Sequence, residues 1–336
     1  VRIVTFHMDQ LGDLLFSLPA LSALRQTFPD SSGRLVSVVR PPLAPLLEST
    51  GLVDSVLPRE KGWGERRKLL RALRQERFDV AVCFSQSREC LLLPWAARVP
   101  RRIGFAGAHF ARLLTERVSL EGPPSLAGNL ALVQRLGCAI SKTDYVGLLR
   151  VSENQREEAR QWLRGAGWDG ETKIAVIAAG ASKRQAIKTW TDEGFAAIAN
   201  RLSETMPVVF VGVDAIEGIL QKVGDRRCAV FPLIDLTKRT SLLQLVGVLS
   251  HAALFVGVDS GVMHMAAALG VPVVALFGPT DPQVTGPCGT GHHIVRNGWW
   301  CSPCHRKVCP YQHECLDRIT ADEVWSAIQK TGVISF

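Results

Sequence analysis

The sequence predicts an α/β protein with parallel sheets in two domains, and three observations carry that prediction. Short apolar runs alternate with amphipathic helix patterns: Arg2 to Phe6 precedes a helix pattern from Leu14 to Phe28, Leu35 to Val39 precedes Pro41 to Leu47, and a basic helix leads into Asp79 to Phe84. Strands separated by helix-length crossovers pair in parallel. A length of 336 residues suits two ordinary domains, each with its own core. Gly165, Gly167 and Gly170 then punctuate the chain ahead of a second strand series, so the boundary is expected between 150 and 168, with domains at 1–155 and 156–336.

In the first domain the strand Arg2 to Phe6 runs into a loop ending Leu11-Gly12-Asp13, and Pro19 fits a first turn or a kink of the helix that follows. A carboxylate where a loop enters a helix is a catalytic position in many α/β proteins and equally a common helix cap, so Asp13 carries both readings. The basic helix supplies Arg66, Arg67, Lys68, Arg71, Arg74 and Arg77, with Leu69, Leu70 and Leu73 as its inward face.

The second domain opens with Ser152 and Gln155 as a capping box, followed by the strand Ile174 to Ala179. The loop 180–190 holds small residues, Ser182 and Lys188, and Thr191 is the expected cap of a helix carrying Phe195, Ile198, Ala199 and Leu202. A small-residue loop with a lysine suits a phosphate, although surface lysines are common in loops. Val208 to Val213 follows, then Asp214 and Glu217. The stretch Leu254 to Phe277 has the order strand, Asp259-Ser260-Gly261, helix, strand, which is a βαβ unit with a helix N-terminus at a strand's carboxyl end. The free amides at Ser260 and Gly261 and the positive helix end suit a phosphate or diphosphate there. His264, one turn on, either reaches that anion or packs.

Composition narrows the function. Residues 1–150 hold 21 Lys and Arg against 13 Asp and Glu, whereas the remainder balances at 18 each. An anionic partner for the first half follows: an acidic substrate, an anionic membrane surface or nucleic acid. No recognised nucleic-acid module is present, and two Tyr give little for base stacking. A nicotinamide dehydrogenase is disfavoured, since no G-x-G-x-x-G follows the first strand. No apolar run reaches membrane-spanning length, and cytoplasmic residence is expected of a chain opening directly on a strand. Near the end, Cys301, Cys304, Cys309 and Cys315 lie within fifteen residues with His305 and His313 between them. They fit a structural zinc or iron, reduced thiols without metal, or a disulfide, the last being disfavoured in the cytoplasm.

Two groups of these residues resemble glycosyltransferase family 9, the ADP-heptose:lipopolysaccharide heptosyltransferases. Asp9, Gly12, Asp13 and Leu18-Pro19-Ala20-Leu21 are similar to the N-terminal D-x-x-G-D signature and its helix. Asp235-Leu236-Thr237, the helix from Ser241 to His251, V-G-V-D-S-G, His264 and Gly278-Pro279-Thr280-Asp281-Pro282 resemble the donor-binding segment. Lys188 and Trp190 are similar to a K-x-W-P element, with Thr191 where proline is usual, and Pro100 to Phe105 resembles an acceptor-side segment holding Arg101 and Arg102.

The resemblance implies a GT-B architecture of two Rossmann-like domains facing across a cleft, acceptor on the first and nucleotide-sugar on the second. It implies inverting transfer of L-glycero-D-manno-heptose from ADP-heptose to the lipopolysaccharide inner core, without a catalytic metal and peripherally at the inner membrane. Asp13 would be the general base, with Ser182, Lys188, Glu217, Asp259, Ser260, Gly261 and His264 at the donor. Asp9, Gly12, Arg101 and Arg102 would lie on the acceptor side, where the last two read equally as surface charges. A related transferase using another nucleotide-sugar, or a protein acceptor, fits the same pattern.

Overall fold

The computed structural model describes residues 1–29, 31, 33–119, 125–180, 187–214, 216–223 and 230–334. The chain divides into two compact units, Val1–Arg150 and Val151–Phe336. The division falls just ahead of the helix Glu153–Gly165, whose N-cap Ser152 and Gln155 form the expected capping box.

In the first unit the strands are β1 (Arg2–His7), β2 (Arg34–Val39), β3 (Ser55–Pro58), β4 (Val80–Cys83), β5 (Arg101–Phe105) and β6 (Glu116–Val118). They form one sheet in the order β3-β2-β1-β4-β5-β6, parallel throughout. The central strands are buried on both faces because helices cover both faces, which is why β1, β2 and β4 read as mainly apolar runs, broken only by the buried Thr5 and Ser37. The helix Leu11–Thr27 begins three residues before Leu14, so Pro19 sits in its interior and not in its first turn. On one face of this sheet the helices Trp63–Glu76 and Arg88–Ala96 pack Leu69, Leu73, Cys90, Leu91 and Leu93 against Val4, Phe6, Val36 and Val38.

The second unit repeats the plan with β7 (Ile174–Ala178), β8 (Val208–Phe210), β9 (Leu233–Asp235), β10 (Ala252–Val258), β11 (Val273–Phe277) and β12 (His293–Arg296). The sheet order is β12-β11-β10-β7-β8-β9, again parallel throughout. Counted from the first strand of each unit, both sheets have the doubly wound order 3-2-1-4-5-6. Each therefore has one switch point, between β1 and β4 and between β7 and β10, where connections leave to opposite sides. The carboxyl ends of strands flanking a switch point open a crevice, and ligands of such sheets bind there.

Side-chain caps open several helices of this unit, that at Thr191 as expected. Thr191 Oγ1 accepts from Gly194 N at 3.1 Å ahead of the helix Asp192–Ser203, and Ser241 and Thr320 form capping boxes with Gln244 and Glu323. Among the described residues, no helix is long and apolar enough to cross a membrane.

Candidate active site

At the first switch point β1 ends on His7 and the chain enters the helix Leu11–Thr27 through Asp9 and Gln10, with Gly12 already in its first turn. Asp13 occupies the third position of that helix and is exposed; its Oδ2 accepts from Gln10 N at 2.9 Å, completing a capping box in which Gln10 is the N-cap. The helix-cap reading of Asp13 is thus realised, and it holds a carboxylate at the carboxyl edge of β1.

Asp9 stands beside it, half-buried. Burial raises its pKa, opposed by a hydrogen bond from Ser85 after β4 and by the charge of Arg40 after β2. Arg40 also donates to Gln10 Oε1 at 3.0 Å. Three strand ends thereby converge on one acidic corner with a single guanidinium. Arg40 and Ser85 were not among the residues expected from the sequence; Arg40 directly follows β2 and Ser85 lies two residues after β4, and that was the available signal.

His7 is the other unexpected member. It is buried, stacked on Phe84 with ring centroids 4.8 Å apart, and burial pushes its pKa down to about 3, so it is neutral. Its Nδ1 meets Ser17 Oγ at 2.9 Å and its Nε2 meets Thr5 Oγ1 at 2.9 Å. Ser17 donates its hydroxyl proton to Leu14 O at 2.7 Å, so its oxygen can only accept from His7, which places the ring proton on Nδ1 and leaves Nε2 to accept from Thr5. Ser37 then donates to Thr5 Oγ1 at 2.6 Å. This buried chain ties β2, β1 and the helix Leu11–Thr27 together through Ser17, one turn on from Asp13.

Arg101 and Arg102 are not brought to this corner. They begin β5, level with the start of β4, at the opposite edge of the sheet. Arg101 pairs with Glu116 at 2.5 Å and donates to Arg135 O, while Arg102 donates to Leu113 O and Pro100 O.

At the second switch point, β10 ends on Val258 and Asp259, which is buried. Lys188, from the loop that follows β7, places Nζ 2.6 Å from Asp259 Oδ2, and both side chains are largely withdrawn from water. The same oxygen accepts from Thr280 Oγ1 at 2.7 Å and Thr285 Oγ1 at 3.4 Å. A single carboxylate thus organises segments from β7, β10 and β11 and aligns the lysine.

Ser260 caps the helix Gly261–Ala268, with Oγ accepting from Met263 N at 3.4 Å. The first-turn amides of Gly261 and Val262 precede the helical ladder, two and three residues after the Asp259 that holds the lysine. His264 is buried one turn on, and burial pulls its pKa down to about 4 against the opposing pull of Asp259. It is therefore neutral at physiological pH, and a charge contribution to anion binding is removed from its roles. Glu217 begins the short helix Glu217–Lys222 after β8 and is exposed. Ser182 lies outside the described residues.

The cysteine segment braces this site from behind. Cys304 N and His305 N donate to Pro279 O at 3.0 and 2.8 Å, Ser302 bonds to Gly278 O, and His313 bonds to Ile187 O next to Lys188. Trp190 Nε1 donates to Ile319 O at 3.0 Å. Cys301, Cys304, Cys309 and Cys315 border one small pocket with Ile187 and Pro279, and burial together with the other three cysteines pushes the Cys315 thiol up to about 11. The donor set has the right chemistry for zinc or iron. Among the described residues no group of three His, Cys, Asp or Glu side chains is drawn together as a metal site, and the four thiols stand here as neighbours around that pocket.

Comparison with known proteins follows the same lines. The sequence model for glycosyltransferase family 9 (heptosyltransferase) matches residues 66–314. Lipopolysaccharide heptosyltransferase 2 of Salmonella typhimurium is 27% identical over 99% of this chain and 100% of its own length. The solved ADP-heptose lipopolysaccharide heptosyltransferase II of Escherichia coli superposes with a TM-score of 0.79 at 26% identity, covering 98% of both chains. A family 9 glycosyltransferase from Veillonella parvula superposes at 0.81 with 21% identity, over 98% of this chain and 96% of that one, and at that identity it shows the shared fold.

Proposed function

The chain belongs to glycosyltransferase family 9, the heptosyltransferases, and from that footing we propose that it moves L-glycero-D-manno-heptose from ADP-heptose to the inner core of lipopolysaccharide with inversion. It is a glycosyltransferase of GT-B architecture. The observation that carries the donor half is the lysine held by Asp259 beside a capped helix N-terminus at the switch point of the second sheet. A diphosphate leaving group gains negative charge as the glycosidic bond breaks, and Lys188 with the amides of Gly261 and Val262 offsets it without rearrangement.

The acceptor half falls to the first unit. Asp13 takes the proton of the acceptor hydroxyl as that oxygen attacks the anomeric carbon from the face opposite the diphosphate, which gives inversion. The capping bond from Gln10 fixes the carboxylate's direction, and the chain from Ser37 to Leu14 fixes the helix that carries it. Asp9 and Arg40 line the same corner and suit an acceptor bearing hydroxyls and anionic groups. In this reading the cysteine segment is a brace for the Lys188 and Thr280 loops, and no step is routed through it. The enzyme works in the cytoplasm, at the membrane face where a lipid-borne acceptor is presented.

The test offers ADP-heptose, ADP-glucose and UDP-glucose with core acceptors and reads sugar transfer by product mass. Consumption of ADP-heptose alone, with a product of inverted configuration, supports the reading. Transfer from either of the other donors in its place overturns the donor assignment.

A further inference from the structure

The first unit carries a surface that the reaction does not use. The helix Trp63–Glu76 buries Leu69 and Leu73, and on its opposite side Trp63, Arg67, Arg71 and Arg74 recur at spacings of four, four and three, making one outer stripe. Trp63 is 79% exposed, with the Arg66 guanidinium 5.9 Å from its ring.

The neighbouring helix Arg88–Ala96 presents Leu92 and Trp95 outward, 38% and 52% exposed. Two contacts lay the helices side by side: Arg66 pairs with Glu89 at 3.1 Å, and Arg74 NH2 donates to Ala96 O at 2.9 Å. Beyond their ends Arg77 and Arg98 both take left-handed backbone conformations, with φ of 51° and 61°, and border one open depression of about 570 Å³ with Arg74.

Four acids at this face have partners in place, and one of them, Asp79, lines the depression with Arg74, Arg77 and Arg98 and accepts from Arg2 N at 2.8 Å. Glu65 pairs with Lys68, Glu76 with Arg2 and Arg34, and Glu89 with Arg59 and Arg66. Among the described residues no acid pairs with Arg67, Arg71, Arg77 or Arg98. The face is therefore cationic and studded with exposed indoles, a combination that suits the boundary of an anionic bilayer. Indole rings rest at headgroup depth, and arginines meet lipid phosphates while their stems lie along apolar surface.

We propose that this helix pair docks the first unit on an anionic phospholipid bilayer. Trp63 and Trp95 enter the headgroup layer, and Arg67, Arg71, Arg77 and Arg98 bind lipid phosphates. The proposal rests on the reading above in one respect, that the acceptor is carried by a membrane. It assigns the positive charge of residues 1–150 largely to lipid, and it leaves the acceptor corner at Asp9 and Asp13 to sugar recognition.

The experiment is co-sedimentation of the full chain with vesicles of phosphatidylglycerol and phosphatidylethanolamine, and with vesicles of phosphatidylcholine alone, across a salt series. Wild type is expected to partition to the anionic vesicles and to weaken with salt. Arg67→Glu with Arg71→Glu should lose more than about 25-fold in partition, at about five-fold per positive charge removed. Trp63→Ala with Trp95→Ala should lose the part of binding that survives high salt. Transfer to a soluble, deacylated core oligosaccharide should be unchanged in both variants, which also shows that they fold.

Equal binding to both vesicle types, variants that partition as wild type, or capture of single-stranded DNA without vesicle binding would each overturn the proposal. Transfer to the soluble acceptor without vesicle binding removes the surface and keeps the enzyme. Vesicle binding lost in the variants, without transfer from ADP-heptose to any acceptor, keeps the surface and removes the heptosyltransferase reading.

Discussion

Lys188 Nζ and Asp259 Oδ2 stand 2.6 Å apart, one from the loop after β7 and one from the end of β10, with 12% and 6% of their side chains exposed. The pair spans the switch point of the second sheet, and Thr280 completes it from the loop after β11. A lysine held in this way is already oriented before any ligand arrives.

Removing one member of a nearly buried pair strands the other charge. Lys188→Ala is therefore expected to cost about 3 kcal/mol in stability and to weaken ADP binding at least tenfold, the first read by urea unfolding and the second by calorimetry. Unchanged ADP affinity in a folded variant would remove Lys188 from the diphosphate site.

Gly278 is a second point where the brace and the site meet. A β-carbon there would stand 2.6 Å from Leu316 Cγ and 2.9 Å from Cys315 Sγ, so Gly278→Ala must push the cysteine segment away from the loop bearing Thr280. A loss of about 1–3 kcal/mol is expected from such overpacking, together with weaker ADP binding. Gly64→Ala is the contrast: nothing lies within 4 Å of its β-carbon position, and it sits in the first turn of a helix, so it should be neutral or gain up to about 1 kcal/mol. Equal thermal shifts in the two variants would count against the bracing role.

The buried histidines set a pH dependence. His7 and His264 stay neutral in the folded chain, with pKa values of about 3 and about 4 against 6.5 when exposed. The unfolded state thus binds more protons below pH 6.5, and stability is full above that value and lost as pH falls toward 4. Each histidine contributes a slope of about 1.4 kcal/mol per pH unit in that window. Asp9, raised by burial, acts with the opposite sign: the folded chain keeps its proton longer, so its contribution declines as pH rises from 3.8 through the raised value. Urea unfolding between pH 5 and 7 should show the acid loss, and His264→Asn should reduce the slope by about one histidine's share. A wild-type slope of zero would contradict the buried neutral assignment.

What was legible in the sequence follows from how far each signal travels along the chain. Caps are local, and Ser152, Thr191 and Thr320 all cap as their sequences indicate. Central strands buried on both faces announce themselves as apolar runs. The short outer strands β3, β6, β9 and β12 span only three or four residues and were not predicted, because so brief a segment shows no period. His7 read as the start of a loop since its partners are Thr5, Ser17 and Phe84, and only the fold assembles them. Arg101 and Arg102 illustrate the converse: a motif resemblance alone suggested the acceptor side for them, and their bonds to Glu116, Arg135 O and Leu113 O at the start of β5 could not be read from the sequence.

The most direct measurement of the central claim is heptose transfer from ADP-heptose to a panel of successively truncated lipopolysaccharide cores, with Asp13→Asn run beside the intact chain. The account predicts transfer to one truncation and not to its neighbours, and a loss of at least about 100-fold in turnover for Asp13→Asn while ADP binds as before. ADP binding without transfer to any acceptor, or an Asp13→Asn variant that turns over at the wild-type rate, would contradict it.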